Sequence, residues 1–408
     1  MSTTLTHSSR PARTALRVVL ATLFPQFAFG LGFAWGGLEP YVRQQAHWSS
    51  LLVAAIFALT PLTTATTLLF GGRLADEFSS RRLCWIGMAC LVVGLTVAFV
   101  LPNEFTFIVF YAMLALGVGY GITLAASLAA MTQVFPKHVG AAGGAIAATY
   151  ALGSVIQVPI ISFLAATHSW IYALRVVGIS ITLVAVLALT LMPALAMPAK
   201  RALGSIIPVH LLTQHRLVTA LLLVFCVAPL GTYAASQVAT YANGLHLVAV
   251  IGVAAVIAVS LGNMLGRLTG GTASDHAGVN YVMLVIVILA LLAALILWRT
   301  ANATELLIGA SLAGLAFGGG VGLVPRLATD AVSTASNSAA GLLYAASALG
   351  GFTGPLLGTA LGGGTLSWLV LGALPLVGLL IVVQRLRQDT QRVQASARVS
   401  TLPTKSEA

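Results

Sequence analysis

The sequence predicts an all-α membrane protein, with twelve transmembrane helices arranged in two pseudo-symmetric six-helix bundles. Three observations carry that expectation. Of 408 residues, 59% are hydrophobic and only 7% are charged, where soluble domains carry about 25% charged residues. The apolar residues fall into runs long enough to cross a hydrocarbon core of about 30 Å at about 1.5 Å per residue. Short motifs recur at nearly one offset between the first half of the chain and the second.

The runs are 18–38, 50–72, 84–102, 106–131, 138–165, 169–193, 217–241, 247–272, 280–298, 304–327, 336–362 and 367–385. Polar stretches separate them, among them Arg43 to Gln45, Asp76 to Arg82, Asp275-His276 and Asp330 to Ser338. Mean hydropathy of +1.00 excludes a soluble two-domain enzyme, and the scarcity of charge excludes disorder over most of the length. The runs are continuous and far longer than a barrel strand of about 10 residues. The expected organisation is a cytoplasmic segment 1–17, a bundle 18–193, a central loop 194–216, a bundle 217–385 and a tail 386–408. The basic start, Arg10, Arg13 and Arg17, followed by a long apolar run, does not read as a cleavable signal. The polar tail from Gln388 is expected to be unstructured, with Arg385, Arg387 and Arg392 near anionic headgroups.

Lys and Arg set the orientation. With the N-terminus in the cytoplasm, that side holds Arg10, Arg13, Arg17, Arg73, Arg81, Arg82, Lys137, Lys200, Arg201, Arg216, Arg326, Arg385, Arg387, Arg392, Arg398 and Lys405. The other side holds Arg43 and Arg299, while Arg175 and Arg267 fall inside spans. This bias predicts an even number of crossings with both termini cytoplasmic, in a bacterial inner membrane. The net charge of +11 is thus a topology signal spread over several loops, and no nucleic-acid partner is expected.

The halves repeat. Gly72-Arg73-Leu74-Ala75-Asp76 after span 2 is echoed by Gly271-Thr272-Ala273-Ser274-Asp275 after span 8, at 271 − 72 = 199. Ala151-Leu152-Gly153 recurs as Ala348-Leu349-Gly350, and Gly117 as Gly314, both at an offset of 197. Six plus six spans in parallel repeats is a transporter architecture with its binding site between the halves.

The stretch Gly72-Arg73-Leu74-Ala75-Asp76-Glu77-Phe78-Ser79-Ser80-Arg81-Arg82 resembles the signature between spans 2 and 3 of the major facilitator family, with Ser79 where glycine is usual. The resemblance implies the major facilitator fold and makes Gly72, Asp76, Arg81, Arg82 and, in the second half, Asp275 a gating motif. Gly119-Tyr120-Gly121, Phe135-Pro136-Lys137 and Gly262-Asn263-Met264-Leu265-Gly266-Arg267 are similar to the oxalate/formate antiporter and monocarboxylate transporter families. In those families the span 8 arginine binds the substrate carboxylate, which maps onto Arg267. The antiporters carry a lysine in span 11 where this chain has Ser347, after Tyr344, so the resemblance favours a monocarboxylate over a dicarboxylate. Proton-coupled monocarboxylate carriers have an aspartate where this chain has Asn263, and a lysine late in span 1 near Glu39.

Arg267 stands eight residues before Asp275, about 12 Å along a helix axis, and a cation at mid-membrane costs at least about 2.5–3.5 kcal/mol. The nine acids read as span ends, loops or tails, so Arg267 is expected to face no acid and to meet an anion. The alternative is a side chain that snorkels to the headgroups. Arg175, near the opposite interface, is expected to do so. Asn263, one turn from Arg267, reads as its orienting partner. Tyr120, Tyr344, Ser347, Gln157, Gln237 and Trp35 are polar-edged span residues that either bind substrate or join helices. Glu39 reads as a proton-coupling candidate at the end of span 1, or as a loop residue before Pro40.

Nothing points to catalysis. No G-x-S-x-G elbow, HExxH or P-loop occurs, so neither an enzyme nor a cofactor is expected. Cys84, Cys90 and Cys226 read as apolar filler, and His210 with His215 is too small a set for zinc. The expected function is secondary transport of a small organic anion, most simply a monocarboxylate, by alternating access. The coupling partner would be a proton or an exchanged anion, and the carrier a monomer. An exporter of drugs or other metabolites in the same fold is the first alternative, and it calls for acids in the cavity. A non-transporting sensor or membrane enzyme is the second.

Overall fold

The computed structural model describes residues 9–136, 139–195, 209–332 and 336–400; side chains within 9–12, 70–77, 139–141, 209–210, 336–338, 392–393 and 395–400 lie outside that description. Lys137, the linker 196–208 and the residues beyond 400 therefore lie outside it, as do the side chains of the gating positions Gly72 and Asp76.

Among the described residues, twelve helices are long and apolar enough to cross a membrane, and no strand occurs. The chain is an all-α, multi-pass membrane protein with six spans in each half. Span 1 combines Ser9–Phe29 and Leu31–Ala46; spans 2 and 3 are Ser50–Glu77 and Ser80–Val100. Span 4 runs over Glu104–Val134, span 5 over Val139–Thr167 and span 6 over Trp170–Thr190. Spans 7 to 12 are His215–Gly244, Ala249–Ala277, Val279–Arg299, Ala303–Ala331, Ser336–Ala360 and Thr365–Ser400.

Local chemistry sets several starts. Span 3 begins where the Ser79 hydroxyl accepts from the Arg82 N–H at 3.4 Å. Span 6 begins where Ser169 accepts from the Tyr172 N–H at 3.2 Å. Each satisfies an N–H that the first helical turn leaves without a partner. Span 4 is wound as a π-helix over Phe107–Gly119 before it resumes α geometry at Tyr120, which changes the face that its later residues present. Arg175 donates to the carbonyl of Phe99 at the end of span 3, a cation on a helix C-terminus.

Two expectations about ends are corrected. Span 1 does not stop at 38: its second segment runs past Pro40 to Ala46, so Glu39 and Arg43 to Gln45 are helical. Pro40 removes one ladder bond but does not end the helix, because the segment is packed against spans 5 and 7. The tail is not unstructured from Gln388, since the last helix continues to Ser400. Asp389 explains much of that: it accepts from Asn280 at 2.6 Å and pairs with Arg216 at 3.5 Å. Arg385 is buried and pairs with Asp330 at 2.8 Å, so it joins spans 12 and 10 and does not reach for headgroups.

Burial separates inner from outer helices. Spans 1 and 7 have 72% of their most apolar windows buried, span 6 only 33%. The outer faces carry exposed Phe163, Leu187 and Leu380, a surface that suits lipid and not water.

The duplication is visible as geometry. His47 after span 1 and His246 after span 7 both take φ of 57°, at 246 − 47 = 199. Asn103 and Asn302, also 199 apart, cap spans 4 and 10, each accepting an N–H three residues on at 3.0 Å. Gly117 and Gly121 of span 4 lie against Thr63 and Thr67 of span 2. At the equivalent place Gly314, Gly318 and Gly322 of span 10 lie against Val259, Asn263 and Arg267 of span 8. A Cβ on Gly318 would sit 2.8 Å from the Asn263 Cα, and one on Gly322 would sit 2.9 Å from the Arg267 Cα. Small residues at four-residue spacing let the two backbones touch.

Candidate functional site

That glycine contact places Arg267. Its Nε donates to Asn263 Oδ1 at 2.9 Å, and Asn263 is fully buried one turn earlier. With Nε engaged, the guanidinium is aimed across the seam between the halves, where its carbon lies 5.7 Å from the ring centroid of Tyr150 in span 5. This is a cation–π distance. Tyr150 packs on Tyr120 of span 4 with centroids 4.6 Å apart. Tyr120, Tyr150 and Tyr344 of span 11 stand with Arg267 in the lining of one cavity.

Arg267 lines a cavity of about 110 Å³ between the halves. Span 1 contributes Gly32 and Phe33, and span 2 contributes Phe57, Thr60, Thr64 and Leu68. Phe317 and Val321 come from span 10, and Tyr344, Ser347 and Gly351 from span 11. Among the described residues no carboxylate lines it, and none of their ion pairs includes Arg267. The arginine therefore faces the seam and not the headgroups.

The residues singled out from sequence divide. Arg267, Tyr120, Tyr344 and Ser347 line the one cavity, and Asn263 orients Arg267 from behind the wall. Trp35 does not reach it: its indole N–H donates to the Val53 carbonyl at 3.1 Å and its ring packs on Phe107 and Tyr111. Gln157 donates to the Phe27 carbonyl at 2.7 Å, joining spans 5 and 1. Gln237 donates to Glu39 Oε2 at 2.7 Å. Arg81 and Arg82 are exposed at the start of span 3. Asp275 pairs with Arg326 at 3.1 Å, from span 8 to span 10.

Glu39 corrects the reading that every acid sits at an end or in a loop. It is fully buried inside span 1. The cause is the continuation of the helix to Ala46, which leaves Glu39 two turns inside. Its Oε1 has no hydrogen-bond partner. Beyond it lies a second cavity of about 600 Å³, lined by Gly37, Pro40, Arg43 and Trp48 and by Ala239, Thr240 and Asn243. Along spans 1 and 7 the two cavities are separated by Gly36 against Ala235 and by the Glu39–Gln237 pair.

Tyr150, Phe317, Gly318 and Gly322 were missed from sequence. The repeat held the signal. Tyr150 immediately precedes Ala151-Leu152-Gly153 as Ser347 precedes Ala348-Leu349-Gly350, at 347 − 150 = 197. Tyr120 and Phe317 differ by 197 as well. Both pairs line the cavity.

A multi-pass helical protein of two pseudo-symmetric halves, with a cavity on the seam, has the architecture of a solute transporter. The sequence model of the Major Facilitator Superfamily matches residues 20–298, and the chain belongs to that family. It is similar to the oxalate:formate antiporter of Oxalobacter formigenes, 27% identical over 174 residues, a match that spans 41% of this chain and 41% of the antiporter. A crystal structure of the nucleoside transporter NupG superposes with a TM-score of 0.73 at 14% identity, over 90% of this chain and 99% of that one. At that identity the likeness is one of fold.

Proposed function

We propose that this transporter carries a small organic monocarboxylate by alternating access, with Arg267 as the counter-charge for the carboxylate. One observation carries the reading: a guanidinium with no acidic partner among the described residues, oriented by Asn263, in a cavity shared by both halves. A carboxylate accepts two parallel hydrogen bonds from a guanidinium, and the phenols around Arg267 are further donors. Among the described residues one cation lines the cavity, which suits one carboxylate. The partial similarity to an oxalate:formate antiporter supports the anion class. The units that rock would be 18–193 and 217–385, working as a monomer, with both termini cytoplasmic in a bacterial inner membrane.

Glu39 is the proposed proton carrier where transport is proton-coupled. It lies in the seam directly beneath the second cavity, with one oxygen unpartnered. The coupling ion would enter on the Arg43 side.

The test is uptake of radiolabelled mono- and dicarboxylates into proteoliposomes, with and without a pH gradient. Saturable uptake of monocarboxylates, with dicarboxylates as poor competitors, is expected. Transport of uncharged or cationic solutes with no response to any carboxylate sinks the proposal.

A further inference from the structure

We infer that the part of the substrate behind the carboxylate is apolar and free of hydroxyl groups: an unsubstituted aliphatic or aromatic monocarboxylate, not a hydroxy acid. The inference rests on the carboxylate reading of Arg267 and adds the nature of the body.

The wall that spans 1, 2 and 7 give the cavity looks mixed in sequence, because threonines and aromatics share it. Their hydrogen bonds say otherwise. Thr64 donates to the Thr60 carbonyl at 2.9 Å, and Thr232 to the Ala228 carbonyl at 3.0 Å. Thr60 is within 3.4 Å of the Ile56 carbonyl and 3.5 Å of that of Ala112. A hydroxyl has one proton, and in each case backbone takes it. These threonines present their methyl groups and offer no donor to a bound molecule; their oxygens can only accept.

The rest of that wall is aromatic. Phe33 stacks on Phe317 of the other half, centroids 6.0 Å apart and planes 19° from parallel. It meets Phe57 edge-on at 5.6 Å and Tyr150 edge-on at 5.6 Å. The lining thus holds one charge among the described residues, Arg267 with the phenols beside it, and is otherwise mostly apolar and aromatic around Phe33. With its carboxylate at Arg267, a small molecule has its carbon body against that apolar surface. A hydroxyl on the body would exchange water for a lining that offers at most a threonine oxygen to accept its proton and no threonine proton in return, at a cost. Ser347 is a further hydroxyl of the lining, one turn from Tyr344 on span 11.

The experiment compares matched pairs on the purified, reconstituted full chain: butyrate with 3-hydroxybutyrate, and benzoate with 4-hydroxybenzoate. Calorimetric affinities are read alongside competition for labelled butyrate and labelled benzoate uptake. Each unsubstituted member is expected to bind about 10- to 100-fold more tightly, the range over which an apolar pocket discriminates against an added hydroxyl. Equal or tighter binding of the hydroxylated members overturns the inference. Arg267→Ala separates that failure from failure of the underlying reading. If binding of both members survives in Arg267→Ala, or if no carboxylate binds the wild type, the carboxylate assignment itself falls and this inference with it.

Discussion

Glu39 of span 1 and Gln237 of span 7, the matching span of the second half, hydrogen-bond to each other, with Gln237 Nε2 2.7 Å from Glu39 Oε2. Their numbers differ by 237 − 39 = 198, one short of the 199 between His47 and His246 that follow the same two spans. Near-equivalent positions of two symmetry-related helices meet only near the symmetry axis. The contact therefore lies close to the axis on the Arg43 side of the Arg267 cavity, where with Gly36 against Ala235 it closes the path between spans 1 and 7.

This location gives the first prediction. The groups facing the carboxyl are Gln237, Thr240 and Tyr233 on span 7 and Arg43 on its own helix. Loss of the Glu39 proton puts a charge into the closed seam; gain of one removes it. Glu39→Gln fixes the uncharged form and keeps a polar side chain opposite Gln237. Uptake driven by a pH gradient should lose its pH dependence, while substrate exchange continues. An unaltered pH profile in that variant removes Glu39 from the coupling.

A second prediction concerns the support behind Arg267. A side chain at Gly318 would strike the Asn263 backbone, with a Cβ 2.8 Å from its Cα. Gly318→Val should push spans 8 and 10 apart, at about 1–3 kcal/mol of strain from overpacking. It should also turn Asn263 away from the Arg267 Nε. A lower thermal midpoint together with weaker carboxylate binding is expected. Gly144→Ala is the control, because nothing lies within 4 Å of a Cβ there. Equal midpoints for the two variants would contradict the packing argument.

The two halves and the spans were legible because hydrophobic length is a coarse, additive signal that tertiary packing does not alter. Span 1 was not fully legible. Pro40 and the polar Arg43-Gln44-Gln45 look like a loop, but Pro40, Arg43 and Gln44 line the second cavity and Gln45 bonds the Ala165 carbonyl and the Trp170 N–H, so the polar helix face has partners or space. The tail failed for a different reason: its helix is held by Asp389 reaching Arg216 and Asn280, which are 173 and 109 residues away in sequence. Within the site, Arg267 and Asn263 stood out because a cation and an amide four residues apart share a helix face. Gln157 and Trp35 have the same polar-edged chemistry but bond backbone carbonyls, and only the register of neighbouring helices decides between those fates. Tyr150 was readable by carrying Ser347 back through the repeat.

The third prediction addresses Arg267 itself. Arg267→Ala should insert and fold but abolish carboxylate transport, with about 2–5 kcal/mol of binding lost. Arg267→Lys keeps the charge but loses the planar fork and the Nε bond to Asn263, so it should bind weakly and saturate poorly. Calorimetry of the three proteins checks the order. Wild-type affinity in Arg267→Ala would end the assignment.

The fourth prediction is a gain of function at Ser347. Ser347 and Arg267 line one cavity from spans 11 and 8, and the lining holds a single cation among the described residues. A second cation is what a dicarboxylate needs, since its far carboxylate otherwise meets the apolar wall uncompensated. Ser347→Lys adds that charge. Two cations without an anion repel, so the empty variant should be less stable than the wild type, and a dicarboxylate should restore it. Oxalate and succinate should therefore raise the thermal midpoint of Ser347→Lys more than that of the wild type. Their competition against labelled monocarboxylate should improve about tenfold, roughly the 1.4 kcal/mol of one screened charge attraction. Ser347→Ala separates charge from shape, and should not gain the dicarboxylates. If Ser347→Lys folds and its preference for monocarboxylates is unchanged, the body of the substrate does not extend toward span 11, and the single-cation explanation of selectivity fails.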